Sequence, residues 1–267
     1  MLSSNSASLD VYGHNQSAWD RLAISDCEWS RPVAPEITAA AKRGKWSVRL
    51  TPGELPSHWL GDVKGCRILC LASAGGQQAP VLAAAGGEVT VFDASEKQLE
   101  LDRKIAARDG LELKAIQGDM RDLSCFADET FDIVFNPISN LYVPGIRPVW
   151  RECHRVLKPQ GRLLASFYNP VVFMGDRDPA LMKEGLIRPV FMIPYADARD
   201  LDATALEAKL ARGETLVSGH SLSDQIAGQI EAGFHIAGFL EDRQPAPRFL
   251  VDKFLPTFIA TLALKVA

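Results

Sequence analysis

CRILCLASAGGQQAPVLAAAGGEVTVFDASEKQLELDRKIAARDG, residues 66–110, is the stretch on which the reading of this chain turns. CRILCLAS (66–73) is a short β-type run, and QQAPVLAAAG (77–86) follows with a helical composition. EVTVFDAS (88–95) reads as a second strand carrying Asp93 at its end, and residues 95–110 as a second helix. Ser95 with Gln98 three residues later forms a capping-box pattern, and Gly110 stands where a C-terminal cap is expected. Downstream, LELKAIQGDM (111–120) and TFDIVFNP (130–137) are strand-like. The helix RPVWRECHRVLK (147–158) is stopped by Pro159-Gln160-Gly161, and RLLASFYN (162–169) is the next strand. An amphipathic helix at 221–234 and strand-like runs at 235–243 and 254–265 complete the series. Strand and helix alternating at this rhythm predict an α/β fold with a parallel sheet covered on both faces, and the near-continuous apolar runs suit such strands.

The chain has 267 residues, room for one large domain or a core domain with an appendage. Hydrophobic residues at 47% and charged residues at 23% exclude disordered, collagen-like and coiled-coil chains. Lys plus Arg is 29 and Asp plus Glu 33, so the net charge of −4 provides no global field for phosphate backbones, and nucleic acid is not the expected partner. No run approaches the roughly 18 apolar residues of a membrane span. The N-terminus MLSSNSASLDVYGHNQ has neither the basic nor the apolar region of a secretory signal, so a cytoplasmic location is expected. The five scattered cysteines fit reduced thiols. Cys66 and Cys70 read as small residues of a buried strand, and no metal is expected.

The flanks differ from this core. Residues 1–62 hold Trp19, Trp29, Trp46 and Trp59, four of the five tryptophans, among turn-rich polar sequence; a disordered tail rarely carries so many indoles. They are expected to form an ordered cap on a core domain spanning 63–267, and residues 170–219 a substrate-side insertion within it. Both are expected to close over the ligand edge.

The candidate chemistry sits at the strand ends. Ala72, Ser73, Ala74, Gly75 and Gly76 form a small-residue turn into a helix, where backbone N–H groups can meet a ligand; an ordinary strand-to-helix turn is the alternative. Asp93 follows Gly75 by 18 residues, where a carboxylate accepts hydrogen bonds from ribose hydroxyls. A helix N-terminal acid is the competing reading, although Ser95 already occupies the cap. Asp119 and Met120 lie beyond the third strand, Asn136 at the end of the fourth. These groups share one sheet edge, where open α/β sheets bind ligands.

With LCLASAGG, VTVFDASEKQL, IQGDM, FDIVFNP and REC-HRVLKPQGRLLASF in view, residues 64–169 resemble the class I S-adenosylmethionine-dependent methyltransferases, especially their small-molecule branch. The layout is also similar to a bacterial subgroup with an HNxxAWD opening and an LASxGGQQ loop. The resemblance implies a Rossmann-like, doubly wound seven-stranded sheet, mostly parallel with a reversed C-terminal strand. It implies S-adenosylmethionine as cofactor, S-adenosylhomocysteine as product, and a small-molecule methyl acceptor. On the matching positions, Ala72, Ser73, Ala74 and Gly75 would pass under the methionine and ribose, and Asp93 would hold the ribose hydroxyls. Ala94 and Gln98 would border the adenine, with Gln98 equally read as capping support. Asp119 would accept from the adenine amino group, Met120 would pack on the ring, and Asn136 would lie beneath the sulfonium.

The chain departs from the family pattern Asp/Glu-x-Gly-x-Gly-x-Gly. Cys70 replaces the acid that supports the methionine ammonium, and Ala72 and Ala74 replace two glycines, which requires their φ to stay negative. The ammonium must then find its acceptor elsewhere, at the Ala72 carbonyl or in the polar N-terminal segment. A sulfonium methyl is already activated, so in-line alignment and exclusion of water are the protein's main tasks, with a general base needed only for some acceptors. Tyr12, His14 and Tyr142 are the candidates for that base; His154 reads as a packing residue and His220 as part of a turn. A non-catalytic S-adenosylmethionine binder and an NAD(P)-dependent oxidoreductase are the alternatives. Monomer and homodimer both stay open.

Overall fold

The computed structural model describes residues 9–25, 27–176 and 178–266. The helices are α1 (Val11–Ile24), α2 (Pro35–Lys42), α3 (Ser57–Leu60), α4 (Gln78–Ala84), α5 (Glu96–Asp109), α6 (Arg147–Val156), α7 (Pro179–Glu184), α8 (Asp197–Asp200), α9 (Ala203–Ala211) and α10 (Gly228–Glu231). The strands are β1 (Arg67–Leu71), β2 (Glu88–Asp93), β3 (Leu113–Gln117), β4 (Phe131–Asn136), β5 (Leu157–Tyr168), β6 (Tyr195–Ala196), β7 (Ser218–Gly219), β8 (Phe234–Asp242) and β9 (Phe258–Lys265). Seven strands form one sheet in the order β3-β2-β1-β4-β5-β9-β8, parallel except for β9, which runs against both of its neighbours. This is the expected Rossmann-like sheet with one reversed strand.

Alternation along the strands explains the unbroken apolar runs. Ile68 and Cys70 of β1 face a layer containing Trp59, Leu82 and Leu99, while Leu69 and Leu71 face one containing Trp150, Val149 and Phe234. The central strand β1 therefore needs apolar residues at successive positions, whereas the edge strand β8 alternates buried or half-buried with exposed residues. Trp150 is fully buried, and its indole N–H donates to the Asp224 carbonyl at 3.0 Å.

Several boundaries differ from the sequence reading. β5 starts at Leu157, directly after α6, because Leu157 pairs with Phe131 before the Pro159-Gln160-Gly161 turn diverts the chain; Gln160 takes φ 64° there. The helix expected at 221–234 begins as a π-turn, Ser223–Ala227, and continues as α10. β9 starts only at Phe258, since Leu250–Lys253 form a 3-10 turn around Asp252, whose carboxylate accepts from Arg248 N, Phe249 N and Thr257 Oγ1.

The N-terminal segment divides between two places. Trp59, Leu60, Val48 and Leu50 are buried in the core layer against β1 and α4, and Trp46 packs beside them. Of its described residues, α1, the 3-10 turn Glu28–Ser30 and the loop 49–52 lie at the ligand edge. The insertion carries its own apolar cluster, with Val172, Phe173 and Tyr195 meeting Leu141 and Val251. Among the described residues no helix is long and apolar enough to cross a membrane.

Candidate functional site

Strand order reverses between β1 and β4, and a cavity of about 460 Å³ opens at the carboxyl ends of these strands. The sheet contributes Ala72, Ser73, Ala74, Asp93, Ala94, Asp119 and Met120; α1 contributes Tyr12, Asn15, Gln16 and Trp19. Tyr142, Tyr168 and Phe258, with residues of 49–52 and 244–248, complete the wall.

The turn after β1 carries strain. Ala72 N still reaches Phe92 O at 2.9 Å, continuing the β1–β2 ladder, and the chain then reverses into α4 through Ala72 (φ 47°), Ala74 (φ 66°) and Gly76 (φ 71°). Both alanines thus take the left-handed conformation, against the negative φ expected of them, because the tight reversal leaves no other path. An L-residue there costs about 1–2 kcal/mol. Ala74→Gly is expected to stabilise the protein by about 1 kcal/mol, less any entropy the more flexible unfolded chain gains. A midpoint shift in urea unfolding measures it; a destabilised variant would show that the turn is not strained.

Two side chains of α5 hold the turn from behind. Gly75 N donates to Gln98 Oε1 at 2.7 Å and Gly76 N to Asp102 Oδ1 at 2.8 Å. A Cβ on Gly75 would stand 2.6 Å from Gln98 Oε1, so close approach requires glycine there. Gln98 donates its Nε2 to Ser30 Oγ at 2.7 Å. The expected capping box is therefore only half formed: Ser95 Oγ accepts from Gln98 N at 3.2 Å, while the Gln98 amide serves the turn and Ser95 N donates to Asp93 Oδ1 at 2.8 Å. Asp20 supplies further capping from α1, its Oδ1 accepting from Ser95 Oγ at 2.6 Å and Lys97 N at 3.1 Å.

Burial raises the Asp93 carboxyl to about 6, with Ser95 and Ala94 N–H groups opposing and Asp20 adding to the shift. Asp119 is held by Arg121, whose Nε donates to Oδ1 at 3.0 Å and Oδ2 at 2.8 Å and whose Nη2 also reaches Oδ2. Sequence reasoning missed this pairing, although Arg121 stands two residues away. Gly75 and Asn136 lie behind the cavity surface. Asn136 is fully buried and donates Nδ2 to Leu71 O and Ser139 Oγ, both at 2.9 Å, tying the ends of β1 and β4 together.

Of the proposed bases, Tyr12 and Tyr142 line the cavity, whereas His14 Nε2 donates to the Glu214 carbonyl at 2.7 Å and is not among the lining residues. Burial raises both phenols above their ordinary range, with Asp119 and then Asp93 adding at Tyr12. Trp19 meets Tyr142 edge-on, ring centroids 5.1 Å apart. His154 packs edge-on against Phe234, and His220 is buried, donating Nε2 to Asn140 O at 3.0 Å.

Among the described residues, none of 170–219 lines the cavity. The insertion instead clamps α1: Asn15 Nδ2 donates to Leu216 O at 2.9 Å and Tyr142 O at 2.8 Å, Leu216 N donates to Asn15 Oδ1 at 2.7 Å, and Arg21 Nη2 donates to Gly213 O at 3.0 Å. The far wall comes from 49–52, within the expected N-terminal cap, and from 244–248, which sequence reasoning left unassigned; these proline-containing loops carry no pattern of their own and are placed only by the sheet.

The residues present suit an adenosyl amino-acid cofactor. A carboxylate closes β2, small residues form the turn, Met120 offers a buried apolar surface, and Ser73 Oγ, Asn136 Oδ1 and Asp102 Oδ2 are buried polar atoms without a hydrogen-bond partner among the described residues.

Comparison with known proteins agrees. A family profile described as "Methyltransferase domain" matches residues 69–165. An uncharacterised methyltransferase of Bacillus subtilis, YbaJ, is 46% identical over 257 residues, covering 96% of this chain and 99% of that protein. A demethylmenaquinone methyltransferase of Clavibacter sepedonicus is 36% identical over 128 residues, covering 48% of this chain and 49% of that protein. The crystal structure of an S-adenosylmethionine-dependent methyltransferase from Mesorhizobium loti shares the fold, with a TM-score of 0.57 at 22% identity, covering 78% of this chain and 94% of that one. The sheet order, the ligand edge and near full-length similarity to a bacterial relative converge: this chain belongs to the class I S-adenosylmethionine-dependent methyltransferases.

Proposed function

We propose that the protein transfers the methyl group of S-adenosylmethionine, by in-line displacement, to a small, largely apolar and flat acceptor. The single observation carrying this reading is the continuous cavity of about 460 Å³, which runs from Asp93 and the small-residue turn to a wall containing Trp19, Tyr142, Tyr168 and Phe258. That size belongs to small-ligand clefts, which bind by apolar enclosure with a few placed polar groups. The similarity to a demethylmenaquinone methyltransferase, whose name denotes a small acceptor, supports it.

S-adenosylmethionine supplies a methyl group activated by its sulfonium. In this reading Asp93 accepts the ribose hydroxyls, Met120 and Ala94 border the adenine, and Asp119, oriented by Arg121, faces its amino group. Ala72, Ser73 and Ala74 pass beneath the methionine portion, with Gly75, Gln98 and Asn136 holding that turn and the neighbouring strand ends in place. Trp19 and Tyr142 align the acceptor and exclude water. Tyr12 and Tyr142 keep their protons at neutral pH and act as wall and hydrogen-bond donors, not as bases, which favours an acceptor whose attacking atom needs no buried base.

The test is turnover on a panel of small metabolites, read as acceptor-dependent formation of S-adenosylhomocysteine with mass detection of the methylated product. Tyr142→Ala is expected to raise KM for the acceptor by about tenfold through lost aromatic packing while leaving S-adenosylhomocysteine affinity nearly unchanged. Methylation confined to proteins or nucleic acids would overturn the reading. Cofactor binding without turnover on any acceptor would favour a non-catalytic binder.

A further inference from the structure

Cys70 stands where the family pattern has Asp or Glu, and it is fully buried, with burial pushing its thiol well above the ordinary range. It therefore carries no charge at neutral pH. A carboxyl group is nevertheless present behind the cofactor turn, on another element. Asp102, midway along α5 and 1% exposed, accepts the Gly76 N–H through Oδ1 at 2.8 Å. Its Oδ2 has no hydrogen-bond partner among the described residues, and neither has Ser73 Oγ on the turn itself.

Such a group is expensive to keep. Burying a carboxyl in the middle of a helix, with one N–H bond and an idle oxygen, costs more desolvation than the bond returns. Burial accordingly raises the carboxyl to about 8, opposed by the Gly76 N–H and by Arg103, with Asp93 adding. At that point a cation arriving at the turn decides whether the group ionises. A costly polar group directly behind the cofactor turn, though outside the cavity lining, is more readily explained by the ligand than by folding, and the methionine end of S-adenosylmethionine carries an ammonium group.

We propose that Asp102 is the positioning acid of the cofactor turn, relocated from the end of β1 to α5: its carboxyl fixes the turn through Gly76 and supplies the negative charge that favours the methionine ammonium. The acceptor sought at the Ala72 carbonyl or in the N-terminal segment is, in this view, a side chain of the second helix of the core.

Two ligands separate this role from simple support of the turn. S-adenosylhomocysteine keeps the amino-acid end, whereas methylthioadenosine lacks it. Asp102→Asn retains an oxygen for Gly76 N–H and is expected to weaken S-adenosylhomocysteine about tenfold in calorimetric titration, while methylthioadenosine stays within about twofold. Adding Cys70→Asp to Asp102→Asn is expected to recover most of the loss, with thermal melts confirming that each variant is folded. Equal losses for the two ligands would reduce Asp102 to a structural prop. Unchanged S-adenosylhomocysteine affinity in Asp102→Asn, or no recovery in the folded double variant, would overturn the proposal.

Discussion

Asp93→Ala is expected to weaken S-adenosylmethionine binding by about 1.5–3 kcal/mol, the scale of hydrogen bonds to a charged group, or roughly tenfold to a hundredfold in Kd. Asp93 closes β2 at the cavity, and its Oδ1 already accepts from Ser95 N, which fixes the carboxylate before any ligand arrives. Its carboxyl, raised to about 6, titrates within reach of ordinary buffers. An ionised carboxylate accepts from both ribose hydroxyls, whereas a protonated one gives up part of that capacity. Affinity is therefore expected to fall as pH drops through about 6 and to level off at a loss no larger than that of Asp93→Ala, with this component absent in Asp93→Asn. The sign for folding is opposite. The folded state holds this proton more tightly than the unfolded chain, so the group's contribution makes the ligand-free protein less stable as pH rises from about 4 to 6. Wild-type affinity in Asp93→Ala would remove the residue from the site.

Asn15→Ala is expected to destabilise the protein by about 2–3 kcal/mol, because buried polar groups lose their partners. Asn15 is 5% exposed and reaches Leu216 N, Leu216 O and Tyr142 O, groups 201 and 127 residues away in the chain. The apolar residues of α1 do not fall on one stripe; Asn15 and Ala18 are its buried residues. Polar ties hold this helix over the cavity, so the loss should appear as a lower midpoint in urea and as earlier proteolysis near α1. Cofactor is expected to slow cleavage of the wild type at α1 and at 170–219, and to protect the variant less. An unchanged midpoint with unchanged cleavage would mean that α1 is held by other contacts.

The two variants probe sites of very different legibility. Asp93 could be read from residues 66–110 because each ingredient is local: an apolar run, a terminal acid, then a capped helix at a fixed spacing. The capping pattern misled in one respect for the same reason. Ser95 and Gln98 have the right separation, yet the Gln98 amide finds Gly75 and Ser30, partners that exist only once the turn and the N-terminal segment are folded against α5. The alanines at 72 and 74 showed that the glycine pattern was altered, but not that the turn would keep its positive φ regardless. The insertion looked like a pocket wall from its place after β5, whereas in the fold it braces α1 and leaves the wall to 49–52 and 244–248.

Residues 66–169 determined the parallel part of the sheet, its covered faces and the edge at which the cavity opens, and the strand-like runs at 235–243 and 254–265 supplied the rest. Strand alternation, helix caps and strand-end acids are written in neighbours a few residues apart, and that spacing survives in any compact arrangement of the chain. Only the tertiary structure decided which acid stands behind the turn and which helix closes over it. Cys70 and Asp102 lie on different elements, and α1 meets Leu216 across most of the chain's length. Such meetings depend on how packed layers bring distant segments together, and no local pattern encodes them.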